Sequence, residues 1–178
     1  MNTELKNKLR AATGMRRLLE IDAAPVDVQV KRSAGITVET GVLVCGDGVR
    51  LAYRMRRKDG ELASVRPVLV LPEGLGAEAV EDRAMRYLSE WRTVMTASLR
   101  PDDGKLETLA RRAEDALAFA RLLSHRNAGK TVEVYAHGKA VPAAALMMAL
   151  ERPYFSLLTT ENPPPQRSGW PAWEAMAE

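Results

Sequence analysis

Histidine occurs twice in this chain of 178 residues, cysteine once and phenylalanine twice, and aromatic residues make up only 5%. One cysteine, Cys45, excludes an intrachain disulfide, and nothing in its use demands an oxidising compartment. Cys45 lies in the apolar run Val42-Leu43-Val44-Cys45 and reads as a small core residue. His125, His137 and Cys45 are not at ligand spacing, which argues against a zinc site, and no cofactor is expected. No apolar run approaches the ~20 residues of a membrane span, and Met1 to Glu20 is charged throughout with no apolar signal core. The expectation is therefore a cytoplasmic protein. Charge of one sign is lacking too. The 26 basic residues exceed the 23 acidic ones by only +3, too small an excess to argue for nucleic acid. Basic residues do cluster, at Lys6, Lys8, Arg10, Arg16 and Arg17 and at Arg54, Arg56, Arg57 and Lys58. Each cluster reads as a solvated face, with an anionic partner as the sharper alternative.

What is present is an ordinary globular composition, 46% hydrophobic and 28% charged. The length suits a single domain, 1–178, with a helical extension over 1–20 and a proline- and tryptophan-containing tail over 163–178. Leu5, Leu9 and Ala12 recur at helical spacing up to Gly14. Val26, Val28 and Val30, then Ile36, Val38 and Thr40, alternate as strand does. Gly46-Asp47-Gly48 turns the chain into a second alternating run, Val49 to Met55, so the first third predicts an antiparallel hairpin. Pro67 to Leu71 is continuously apolar, as in a strand covered on both faces. Helix is then expected from about Ala77 to Trp91, strand from Thr93 to Leu99, and a long helix carrying Leu106, Leu109, Ala113, Ala116, Ala120 and Leu123. Further strands are expected at Thr131 to Tyr135 and Tyr154 to Thr160.

The segment from Val132 to Leu150 reads as strand, sharp turn and apolar helix. Its pentad Ala136-His137-Gly138-Lys139-Ala140 has the layout of the nucleophile elbow G-x-S-x-G, with Gly138 where serine would stand. Upstream, Val68 to Gly76 reads as a strand and loop, and so does Val94 to Gly104. Glu114-Asp115-Ala116-Leu117 lies in the helix before the elbow. Taken in order from Ile36 to Thr160, these segments resemble the α/β-hydrolase superfamily, in particular its acetyl-xylan-esterase-like and dienelactone-hydrolase-like esterases.

The resemblance implies an α/β fold: a mostly parallel sheet with an N-terminal antiparallel hairpin, helices on both faces, and truncation after the sixth strand. It makes Pro72, Glu73 and Gly74 the remnant of an oxyanion loop and His137, Gly138 and Lys139 a degenerate elbow. Glu73 would set negative charge where an oxyanion needs the opposite. The triad acid and histidine would follow the elbow, yet only Glu161, Glu174 and Glu178 do, and no histidine. The expected function is thus that of a catalytically inactive esterase relative with a binding or structural role. The alternative is a carboxylic ester hydrolase with an unorthodox site or one completed by another chain. A second alternative, a dinucleotide-binding domain, rests on Gly74-Leu75-Gly76-Ala77-Glu78-Ala79 after a buried strand. Against it, the next strand ends Ser98-Leu99-Arg100 with no acid for a ribose. Among other reactive side chains, Ser98 lacks a base, Lys139 reads as solvated and His125 as a surface residue. The apolar run Tyr154 to Thr160 would be a bare sheet edge, covered by self-association or a protein partner and by Trp170 and Trp173.

Overall fold

The run Val68-Leu69-Val70-Leu71 is buried at all four positions, and the molecule is built around it. A strand apolar on both sides needs a helix layer on each face. The computed structural model describes residues 3–60 and 66–165. In it α1 (Thr3–Thr13) precedes strands β1 (Ala23–Ser33), β2 (Ile36–Cys45) and β3 (Arg50–Lys58). Then come β4 (Val68–Leu71), α2 (Ala77–Ser89), β5 (Val94–Ala97), α3 (Leu106–Arg126), β6 (Val132–His137), α4 (Val141–Glu151) and β7 (Phe155–Glu161).

The strands form one seven-stranded sheet in the order β1-β2-β3-β5-β4-β6-β7. The set β5-β4-β6-β7 is parallel, and β1 to β3 join it as an antiparallel meander. The anticipated hairpin is therefore one strand short. A turn at Ala34 and Gly35, both at positive φ (50° and 74°), splits the long alternating run in two. Two successive left-handed residues make the tight hairpin turn whose twist suits antiparallel strands, and Ala-Gly signals it more weakly than Asn-Gly.

Alternate residues of the central strands go to opposite layers. Val68, Val70, Val94 and Tyr135 pack with Ala84 of α2 on one face. Leu69, Leu71, Met95, Val134 and Ala136 pack on the other with α3 and α4. Burial runs all round α4, where Ala143, Ala144, Ala145, Leu146 and Met147 are each 0% exposed. The N-terminal segment is tied to this layer. Met15 is buried, Arg10 pairs with Glu151 of α4, and Arg16 pairs with Glu114 of α3.

The two sheet edges differ. β1 carries Pro25, Lys31 and Arg32, and its register slips between Val26 and Gln29, where Asp27 has φ of 53°. Those are the usual guards against edge pairing. β7 carries no proline or lysine and exposes Leu157. Trp170 and Trp173 lie outside the described residues. Among the described residues, no helix is long and apolar enough to cross a membrane.

Candidate functional site

The chain leaves β4 for β5 on one side and later lays β6 against the other side of β4. Such a switch opens a crevice at the carboxyl ends of the parallel strands, where α/β proteins place ligands. Two loops meet there, residues 72–76 after β4 and residues 137–140 after β6.

The second loop is a sharp elbow. His137 ends β6 in extended geometry, Gly138 turns left-handed at φ +57°, and a single 3-10 turn leads into α4. Pro142 falls in the first turn of α4, where a missing N–H costs nothing. A Cβ on Gly138 would overlap the Glu73 carbonyl oxygen, so the first loop closes over this position from above. Two constraints therefore favour glycine here, the backbone angle and the neighbouring carbonyl.

His137 is buried and engaged at both ring nitrogens. Its Nδ1 lies 2.7 Å from the Glu73 carbonyl oxygen and its Nε2 lies 2.9 Å from Asn162 Nδ2. A carbonyl only accepts and an amide nitrogen only donates. In this arrangement Nδ1 donates to the Glu73 carbonyl and Nε2 accepts from the Asn162 amide. The side chain of Glu73 is not the free negative charge the sequence suggests, because Arg112 Nη2 donates to its Oε2 at 2.5 Å. Lys139 has an exposed side chain, but its carbonyl accepts from Arg112 at 3.1 Å. Pro72 is half-buried, and Gly74, at φ +86°, sits beside the His137 ring.

Arg112 is the residue that sequence reasoning missed. Its guanidinium, 2% exposed, also donates to the Arg100 carbonyl. One buried cation on α3 thereby fastens three segments, namely the loop after β4, the loop after β5 and the elbow. A signal was available. Arg112 follows Leu109 by three and precedes Ala116 by four, which puts it on the apolar stripe of α3. A charge on a buried stripe is paired or functional.

A second charged cluster lies nearby. The two oxygens of Asp115 accept from Arg100 Nε at 2.8 Å and Nη2 at 2.7 Å, and Arg100 Nη1 reaches Asp47 at 2.7 Å. This joins two segments singled out in the sequence, the loop after β5 and the Glu114-Asp115 pair. Cys45 Sγ sits 3.5 Å from Asp115, and burial, reinforced by that carboxylate, pushes its thiol up to about 12. Such a thiol is inert at neutral pH. Burial acts to raise the Glu114 carboxyl, but hydrogen bonds from Arg16 and Arg111 outweigh it and hold the group below its ordinary range. His125 is exposed at the far end of α3, away from the elbow, and Ser98 is exposed after β5. Among the described residues, no group of three or more histidine, cysteine or acidic side chains could hold a metal ion.

No family model matches the sequence, and no curated protein does. Solved structures do match. One is a protein from Bacteroides fragilis provisionally assigned as an acetyl xylan esterase, with TM-score 0.69 and 9% identity over 87% of this chain and 51% of that one. The fold is that of the α/β-hydrolases. A cold-adapted esterase from an Arctic intertidal metagenomic library is similar at TM-score 0.57 and 13% identity, covering 76% of this chain and 63% of its own. Acetyl xylan esterase 1 from Thermoanaerobacterium is similar at TM-score 0.55 and 13% identity, covering 90% and 58%. The chain thus spans about half to two thirds of the length of these α/β-hydrolases.

Proposed function

We propose that this chain is an α/β-hydrolase-fold domain of esterase type that binds rather than cleaves, with a recognition or structural role. The observation that supports this reading is the closed elbow. Gly138 offers no nucleophile, and the Glu73 carbonyl fills the space a side chain there would need. Two further features agree. His137 has both ring nitrogens occupied, and the Glu73 carboxylate, an acceptor and not an oxyanion donor, is held by Arg112.

A second reading, a carboxylic ester hydrolase, is favoured by the esterases among the similar structures, which also include a post-proline cleaving enzyme; on similarity alone it is the better supported of the two. It requires reacting groups from outside the described residues or from another chain.

Hydrolysis of p-nitrophenyl acetate, with labelling by a serine-reactive fluorophosphonate, separates the two readings. The binding reading expects no turnover above background and no adduct. Turnover near the enzyme median of ~10 per second would overturn it in favour of the hydrolase. Mass mapping of the adduct would then name the nucleophile.

A further inference from the structure

The end of the sheet opposite the elbow holds a cavity of about 380 Å3 lined by Arg32, Arg57, Lys58, Asp59, Arg126 and Lys130, with Thr37 and Thr93 in its floor. Its origin lies in the strand registers. Arg32 pairs with Thr37 across β1 and β2, and Thr37 pairs with Arg57 across β2 and β3. Directly opposed residues share a face. This row continues the face that carries Leu51, Tyr53 and Met55 toward α3, since Arg57 follows at the same period of two. Further along the sheet that face is apolar and covered by α3. The helix ends at Arg126, and where its cover stops the inward positions change from leucine, tyrosine and methionine to arginine.

The charge in this cavity is not balanced. Five cations and one carboxylate line it, a larger surplus than the +3 of the whole chain. Arg126 has Glu39 at 3.4 Å, and the Lys58 ammonium lies 4.2 Å above the Trp91 ring. Among the described residues, no carboxylate pairs with Arg32, Arg57 or Lys130. Asp59, the one carboxylate in the lining, accepts from the Thr37 hydroxyl and offsets only one of the five cations. Elsewhere the buried and half-buried arginines Arg10, Arg56, Arg83, Arg100 and Arg112 are matched to Glu151, Glu81, Glu161, Asp115 and Glu73. A concave site lined by one sign of charge concentrates the field and attracts the opposite ion. The carboxyl end of α3 points the negative end of its dipole here, equivalent to roughly half a charge, which is less than the three uncompensated cations.

We propose that this cavity binds the polyphosphate group of a small molecule. Arg32 and Arg57 stand two strand spacings apart, roughly 10 Å. A chain of two or three phosphoryl groups bridges such a pair, with the arginines donating in forked geometry and Lys130 closing from the other wall. The cavity volume suits a small ligand. This inference is independent of the esterase reading, since it uses none of the elbow's residues.

Isothermal titration at 150 mM salt tests it, with tripolyphosphate, orthophosphate, ATP and a single-stranded oligonucleotide as probes. Tripolyphosphate is expected to bind at least tenfold tighter than orthophosphate. The double variant R32Q/R57Q, and separately K130Q, should weaken tripolyphosphate at least tenfold and threefold. The control R17Q/R54Q, exposed and outside the cavity, should change it less than twofold. ATP binding tighter than tripolyphosphate makes a nucleotide the source of the group, and equal affinities mean that phosphates alone are read. Equal losses in cavity and control variants, or no preference over orthophosphate, would overturn the site as general surface attraction. Oligonucleotide binding tighter than both phosphates, with the same sensitivity to R32Q/R57Q, would overturn it in favour of nucleic acid.

Discussion

Replacing Arg112 with methionine tests whether one buried cation holds the carboxyl end of the sheet together. Methionine keeps the stem volume and removes the guanidinium. Three acceptors then lose a donor: the Glu73 carboxylate at 2.5 Å, the Lys139 carbonyl at 3.1 Å and the Arg100 carbonyl. A buried carbonyl left unsatisfied costs about 1–3 kcal/mol. Glu73, half-buried, regains water more readily, so its share is the smaller one. The total falls at about 3–5 kcal/mol, the usual cost of removing one partner of a buried pair. For a chain of this size about 2–4 °C is lost per kcal/mol, so the thermal midpoint should drop by roughly 6–20 °C. Urea unfolding should show the midpoint moving with the slope unchanged. Glu73→Gln should cost less, because an amide oxygen still accepts and Arg112 keeps both carbonyls. The double variant should cost less than the sum of the two. A loss below about 1 kcal/mol in R112M would refute the clamp.

Serine at Gly138 should destabilise by at least 1–3 kcal/mol, the usual cost of a non-glycine residue in strained geometry, with no gain of esterase activity; an active, equally stable variant would contradict the closed elbow. Glu114 titrates lower folded than unfolded, so its stabilisation is complete above about pH 4.3 and fades as pH falls through the lower folded value. Urea titrations at pH 7 and pH 3 should show Glu114→Gln well below the parent at the first and close to it at the second. Iodoacetamide should leave Cys45 unlabelled at pH 8 in the native protein and label it fully in urea; rapid native labelling would show an accessible thiolate. We also propose that β7 pairs with β7 of a second copy about a two-fold axis, since this edge lacks the guards of β1 and exposes Leu157. Light scattering should report a dimer that L157K dissociates, and a monomeric parent would refute it.

Much of this was legible because the α/β layout writes itself in period and punctuation. The four buried positions of β4, the steps of three and four along α3 and the glycine at the elbow each follow from local sequence. What escaped depended on partners far along the chain. Glu73 looked like an unopposed negative charge until Arg112, 39 residues away, was placed against it. His137 could have been a free base until Asn162 and the Glu73 carbonyl were seen at its two nitrogens. The basic residues Arg57 and Lys58 read as a solvated run because nothing local reveals that β-sheet register sets Arg32 beside them.

The two ends of the sheet consequently offer different chemistry. At the carboxyl end each ionisable side chain of the elbow site except Lys139 is already committed. For His137 to serve as a base it must give up the Asn162 bond, and for Glu73 to act it must leave Arg112, at about 1 and 1.5–3 kcal/mol respectively. Neither cost is prohibitive alone, but both bonds also hold the loops that shape the crevice, so recruiting either group loosens the geometry that catalysis needs. The amino end is the reverse case. Its cations Arg32 and Arg57 on strands, and Lys130 just before β6, have no matching carboxylate among the described residues, and they repel one another until an anion arrives. An uncompensated charge held on rigid elements is poised to bind, whereas a compensated one is poised to stay. On that ground the opposite end from the elbow is where a ligand gains most from this fold.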